Sequence, residues 1–153
     1  MKRERWAQIG MFINGLSIAL FIFLANILDV PTAPPVFIYL AWVLLGVGVS
    51  LIILSTATLM SKRRSGLINW GIYGVVRHPM YLGAALLFLS WIGFMPHWIV
   101  ILIALTNIAI VYWFMLEGER QNIAKFGDQY RIYMSRVPRV DFLTGIFRVF
   151  VGK

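Results

Sequence analysis

Four long apolar stretches, broken by short polar or charged connections, organise the chain. The first covers residues 9–30, interrupted by Asn14 and Asn26 and closing on Asp29. The second runs over 36–60 without a charge. A third, 81–94, and a fourth, 98–116, flank the turn Met95-Pro96-His97. A hydrocarbon core of ~30 Å needs about 20 helical residues. The third stretch approaches that length only if its helix begins at Pro79, a residue suited to a first helical position because its missing N–H costs nothing there. The pattern therefore predicts an all-α integral membrane protein. Its four transmembrane helices fall at about 9–30, 36–60, 79–94 and 97–116. Short cytoplasmic helices follow, and a last segment, 140–153, sets Phe142, Leu143, Ile146, Phe147 and Phe150 at helical spacing. Too short to span, that segment reads as an interfacial amphipathic helix. Gly46, Gly48 and Ser50 give the second helix a small face for close packing.

Composition agrees with this pattern. Of 153 residues, 60% are hydrophobic and 13% charged, against about 25% charged in a soluble domain. The polar residues are too few to cover a water-soluble globule, and one membrane domain, 1–153, accounts for the whole length. The absence of cysteine excludes disulfides, thiolate metal sites and thiol catalysis.

Charge then sets the orientation. Lys2, Arg3 and Arg5 precede the first span; Lys62, Arg63, Arg64 and Arg77 lie between the second and third; Arg120, Lys125, Arg131, Arg136, Arg139, Arg148 and Lys153 follow the fourth. These are all 14 basic residues, and the connections 31–35 and 95–97 carry none. The positive-inside rule places both termini and the long middle loop in the cytoplasm. The net charge of +8 is then explained by orientation and by anionic headgroups, with no need of a nucleic-acid partner.

Polar chemistry concentrates in two cytoplasmic segments, 65–81 and 117–139. In the first, His78 caps the helix that starts at Pro79, whose free N–H groups suit an anion. Arg77 adds a planar fork for a carboxylate or phosphate. A second reading has Arg77 reaching to headgroups and His78 as a plain cap. Trp70, Tyr73 and Tyr81 are either belt aromatics or a surface for an adenine ring or a sulfonium cation. In the second segment, Glu117 pairs with Arg120 at i,i+3, Glu119 follows it, and Phe126-Gly127-Asp128 reads as a helix stop and a new cap. Tyr130 and Tyr133 share a face of the next helix. His78 and His97 fall on opposite sides of the membrane, and no metal-ligand spacing occurs.

The run GIYGVVRHPMYLG over 71–83, followed by Glu119-Arg120, by FGDQYRIY over 126–133 and by RVPR over 136–139, resembles the isoprenylcysteine carboxyl methyltransferase family. That is part of the wider membrane methyltransferase group which takes in phospholipid methyltransferases. The resemblance covers about half the chain, from 67 to 139. It implies an S-adenosylmethionine site between the last two membrane helices and the cytoplasmic segments. The cofactor contacts it implies are Leu67, Ile68, Tyr73, His78, Pro79, Met80 and Tyr81, with the glutamate after the last membrane helix, Glu117 or Glu119. The anion-site reading adds Arg77 at the cofactor carboxylate, and Arg77 and Glu119 are then the expected catalytic residues. There are two departures. The family's adjacent glutamates align with Gly118 and Glu119, so the role falls to Glu119 or to Glu117. The family's arginine upstream of them has no counterpart in 113–116.

Methyl transfer from a sulfonium to an anion merges opposite charges, so a dry pocket favours it, and in-line approach supplies the rest. A neutral amine acceptor would also have to shed a proton, with Glu119 or His78 to take it. The resemblance thus implies methyl transfer to a lipid-like, membrane-embedded acceptor, either the carboxylate of a prenylated substrate or the amine of a phospholipid. Two further readings stay open: an NADPH-dependent sterol-type reductase, and a non-catalytic membrane module that keeps the fold.

Overall fold

The structure is a computed structural model that describes residues 2–61 and 66–151, with the side chains of 2–8, 11 and 149 left aside. The side chains of Lys2, Arg3, Arg5, Lys62, Arg63, Arg64 and Lys153, on which the orientation partly rests, and Ser65, lie outside what is described.

Seven helices and no strand make up the described residues: α1 Lys2–Ile27, α2 Pro35–Ser61, α3 Ile72–Val75, α4 Pro79–Phe94, α5 Trp98–Phe126, α6 Asp128–Arg136 and α7 Phe142–Val151. Both α2 and α5 are long and apolar enough to cross a membrane, and Phe12–Ile27 and Pro79–Phe94 are shorter apolar helices. Many large apolar side chains face outward, Phe12, Trp42, Val43 and Leu102 among them. In water such a surface would be an aggregation liability; against lipid tails it is at home.

α4 and α5 form a helical hairpin over residues 95–97, and His97 caps α5 by accepting the Ile99 N–H at 3.3 Å. α2 packs along α4, and α1 leans on α5. The core between them holds Phe21, Phe88, Met95, Val100, Ala104, Val111 and Met115, with Phe21 stacked on Trp91 at 5.0 Å. Of the small residues expected to pack α2, only Gly48 does so. A Cβ there would lie 2.8 Å from the Gly83 carbonyl oxygen, whereas Gly46 has nothing within 4 Å and Ser50 is exposed, donating to the Gly46 carbonyl.

The second core is small and sits beyond the apolar helices. Tyr130, Tyr133 and Val137 pack with Leu67, Ile123 and Phe126. It exists because α5 runs ten residues past Leu116, the expected end of the span: the polar stretch from Glu117 continues the helix, turning Ile123 and Phe126 inward. α5 stops at Gly127, whose φ of 55° suits glycine. The cap of α6 falls on Gly127 rather than on Asp128, which becomes the first residue of α6, where its charge favours the helix N-terminus.

Candidate functional site

The site forms where the strand-like run before α4 meets the chain after α6. Arg77 N–H donates to the Pro138 carbonyl at 3.0 Å and His78 N–H to the Arg139 carbonyl at 3.3 Å. These two bonds lay the RVPR segment beside the Arg-His-Pro segment, although 60 residues separate them. His78 is the N-cap of α4 and Pro79 its first residue.

Glu119 is the hub of the resulting cluster. It is 5% exposed. Arg139 grips both carboxylate oxygens, Nε to Oε1 at 3.0 Å and Nη2 to Oε2 at 2.7 Å. His78 Nε2 lies 3.2 Å from Oε1, and Arg77 Nη1 lies 2.9 Å from the same oxygen. That last contact is an ion pair without hydrogen-bond alignment, and Arg77 Nε is buried with no partner. Burial pushes His78 below the ordinary imidazole value; the Glu119 hydrogen bond and charge pull the other way without restoring it, and Arg77 and Arg139 deepen the depression. His78 is therefore neutral at pH 7, so its Nε2–H donates to Glu119.

A cavity of ≈ 410 Å³ opens beside this cluster, within the range that takes a small-molecule ligand. Of the expected residues, Leu67, Ile68, Tyr73, Arg77, His78 and Tyr81 line it. Lys125, Phe126, Tyr130 and Tyr133 complete an aromatic and cationic wall. Tyr133 also fixes the turn that carries Tyr73, donating from its hydroxyl to the Tyr73 carbonyl at 2.6 Å. Burial raises the Tyr133 phenol well above its usual value, so it keeps that proton across the physiological range.

The other expected residues sit elsewhere. Glu119 backs the cavity without lining it, because its oxygens are turned to Arg77, His78 and Arg139. Pro79 is buried at the helix start and is not part of the lining. Met80 and Glu117 line a second cavity of ≈ 380 Å³ with Asn14, Ala84, Val111, Phe114 and Gln121. Glu117 pairs with Arg120 at 3.7 Å, as the i,i+3 spacing predicts. The two cavities share Tyr81 and Gly118. Sequence reasoning missed Arg139, Tyr130, Tyr133 and Lys125 as site residues, although the RVPR motif marked the first of them. It also passed over Asn14 as a mere interruption.

A family model described as phospholipid methyltransferase matches residues 36–127, more than half of the chain, from the second residue of α2 to the end of α5. No curated protein and no solved structure matches.

Proposed function

As the chain belongs to the phospholipid methyltransferase family of membrane methyltransferases, we propose that it transfers a methyl group from S-adenosylmethionine to the amine of a membrane lipid. The observation that carries this reading is the pair of cavities, one polar and aromatic, the other largely apolar, that meet at Tyr81 and Gly118. In this reading all four apolar helices span the bilayer, both termini and the site face the cytoplasm, and α7 lies at the interface.

The first cavity fits the cofactor by chemistry. A buried guanidinium nitrogen without a partner costs about 1–3 kcal/mol; Arg77, which lines the cavity, has such a donor and suits the carboxylate of the methionyl end. The tyrosines and Phe126 suit an adenine face and a cationic sulfur. When bound, S-adenosylmethionine supplies a methyl group on a sulfonium. Glu119 acts through others: it holds Arg77 and His78 in place and balances their surroundings, which makes it a positioning residue.

The second cavity fits an amine better than a carboxylate. Among the described residues it is lined by no Lys or Arg, while Asn14 presents a buried carbonyl oxygen without a partner and Glu117 a carboxylate. Both favour an ammonium group. The amine must be neutral to attack, and Glu117 is the lining residue suited to take its proton. The missing arginine in 113–116 argues against a carboxylate acceptor in the same direction.

Calorimetry on detergent-purified protein tests the reading. S-adenosylhomocysteine should bind and NADPH should not. Incubation with methyl-labelled cofactor and a lipid mixture should then label amine-headed lipids. Label in a prenylated carboxylate would remove the amine assignment; failure to bind S-adenosylhomocysteine would remove the whole proposal.

A further inference from the structure

The last helix has two unlike faces. On one, Gly145 lies so close to α3 that a Cβ there would collide with the Val75 carbonyl oxygen. Arg148, one turn on, donates to the carbonyls of Gly74 and Arg136, so α7 is fastened to both α3 and the end of α6. Asp141 caps the helix start, accepting the Thr144 N–H at 3.1 Å. On the other face Leu143 is 80% exposed, Phe147 69% and Phe150 85%. Their spacing of four and three residues makes one continuous apolar stripe.

The position of α7 decides what covers that stripe. Its neighbour α3 ends at Val75, with three residues between it and the start of α4 at Pro79, and the turn before α3 touches the end of α2, with Gly71 close to Thr58. α7 therefore lies level with the ends of two apolar helices, where their lipid-facing surface meets water. Exposed Arg120, Arg131 and Arg136 in α5 and α6 give this end of the molecule a charge complementary to anionic headgroups.

We infer that α7 is a strap. Its Leu143, Phe147 and Phe150 stripe sits in the lipid headgroup layer, and its Gly145 and Arg148 face holds the α3 turn, with Tyr73, against the site cavity. Lipid contact on one side thereby orders the cavity wall on the other, so the wall is firm only when the bilayer is present. This rests on the membrane placement proposed above but not on the identity of any cofactor.

The absence of native cysteine makes the test direct. Phe147→Cys, labelled with a polarity-sensitive fluorophore, is compared with Asp128→Cys in nanodiscs containing lipids brominated near the headgroup. The label at 147 should be blue-shifted and quenched about twofold more than that at 128. In a second measurement, hydrogen exchange over residues 71–77 should rise about tenfold in a Phe147→Ser/Phe150→Ser variant, and likewise in Gly145→Val, with α4 and α5 unchanged. A label at 147 that is protected yet blind to the lipid quencher means that protein covers the stripe, and overturns the docking. Unchanged exchange over 71–77 in both variants overturns the strap. S-adenosylhomocysteine titration of the same samples reports separately on the methyltransfer reading.

Discussion

Arg139 holds Glu119 in a two-point grip, Nε on Oε1 at 3.0 Å and Nη2 on Oε2 at 2.7 Å, and this pair ties the chain after α6 to the third turn from the end of α5. Glu119 is buried while Arg139 is a third exposed, so the two ends of the pair differ in what their loss would do. Removing Arg139 leaves Glu119 paired with Arg77 and water near enough to help; the expected loss is about 1–3 kcal/mol, typical of charge-assisted bonds. Glu119→Gln leaves Arg77 buried without its counter-charge and should cost about 3–5 kcal/mol. Arg139→Lys keeps the charge but not the planar fork, and should fall between wild type and Arg139→Ala. Unfolding in mild detergent, driven by added denaturing detergent, measures all three. Equal effects from Arg139→Ala and Glu119→Gln would show that the pair is not organised around a buried hub.

Tyr133 offers a cleaner separation of wall from cluster. Its hydroxyl bond to the Tyr73 carbonyl spans α6 and α3 and touches no charged group. Tyr133→Phe leaves that carbonyl unpaired in a partly buried place, for about 1–2 kcal/mol. Because Tyr73 lines the cavity, S-adenosylhomocysteine affinity should fall by about five- to thirtyfold, in line with the same energy. Calorimetry reads the affinity and detergent unfolding the stability. A loss of stability with unaltered affinity would detach the α3 turn from the ligand.

Acid should act first through His78. The folded chain holds it below the ordinary imidazole value, while the unfolded chain protonates it near about 6.5. Below that pH the unfolded state binds more protons, so stability declines as pH falls from about 6.5 toward the folded value. The groups that face the ring are Glu119, Arg77 and Arg139, with the Tyr81 ring centroid 5.8 Å away. His78→Gln keeps a donor for Glu119 but cannot titrate. It should flatten the decline of the unfolding midpoint below about pH 6.5 relative to wild type; an identical slope in both would assign the acid limb to another group.

Much of this arrangement was legible in the sequence, and what was hidden has physical reasons. Pro79 marked its helix start because a proline ring fits the first helical position, and Met95-Pro96-His97 marked the hairpin as a turn between two apolar stretches. The end of α5 was concealed because apolarity stops at Leu116 while helical periodicity does not. That periodicity also carries the choice between the two acids. Val111, Met115 and Glu119 recur at four-residue steps on one face, and all three are buried, whereas Glu117 is turned away by two residues, about 200°. Reading the stripe past the last apolar residue would have put Glu119 in the interior. Arg139 could not be found that way: it follows α6, its partner lies 20 residues back in α5, and only the fold brings the two segments together.

The α2–α4 contact yields a prediction in which two glycines of one helix behave oppositely. A Cβ at Gly83 would stand 2.6 Å from the Gly48 carbonyl oxygen and 2.9 Å from Ile52 Cγ1, and one at Gly48 would stand 2.8 Å from the Gly83 carbonyl oxygen. A backbone carbonyl has little room to yield, so Gly48→Ala and Gly83→Ala must push the helices apart, at about 1–3 kcal/mol each. Gly46, one turn fragment away, meets nothing within 4 Å; there alanine only restricts the unfolded chain and should stabilise by about 0.5–1 kcal/mol. The consequence reaches the site, since Gly83 lies within about one turn of Pro79, Met80 and Tyr81. Displacing α4 at Gly83 should therefore weaken S-adenosylhomocysteine binding, whereas Gly46→Ala leaves it unchanged. Detergent unfolding and calorimetry on the three variants check both halves, and similar behaviour of Gly46→Ala and Gly83→Ala would mean that the helices do not approach this closely.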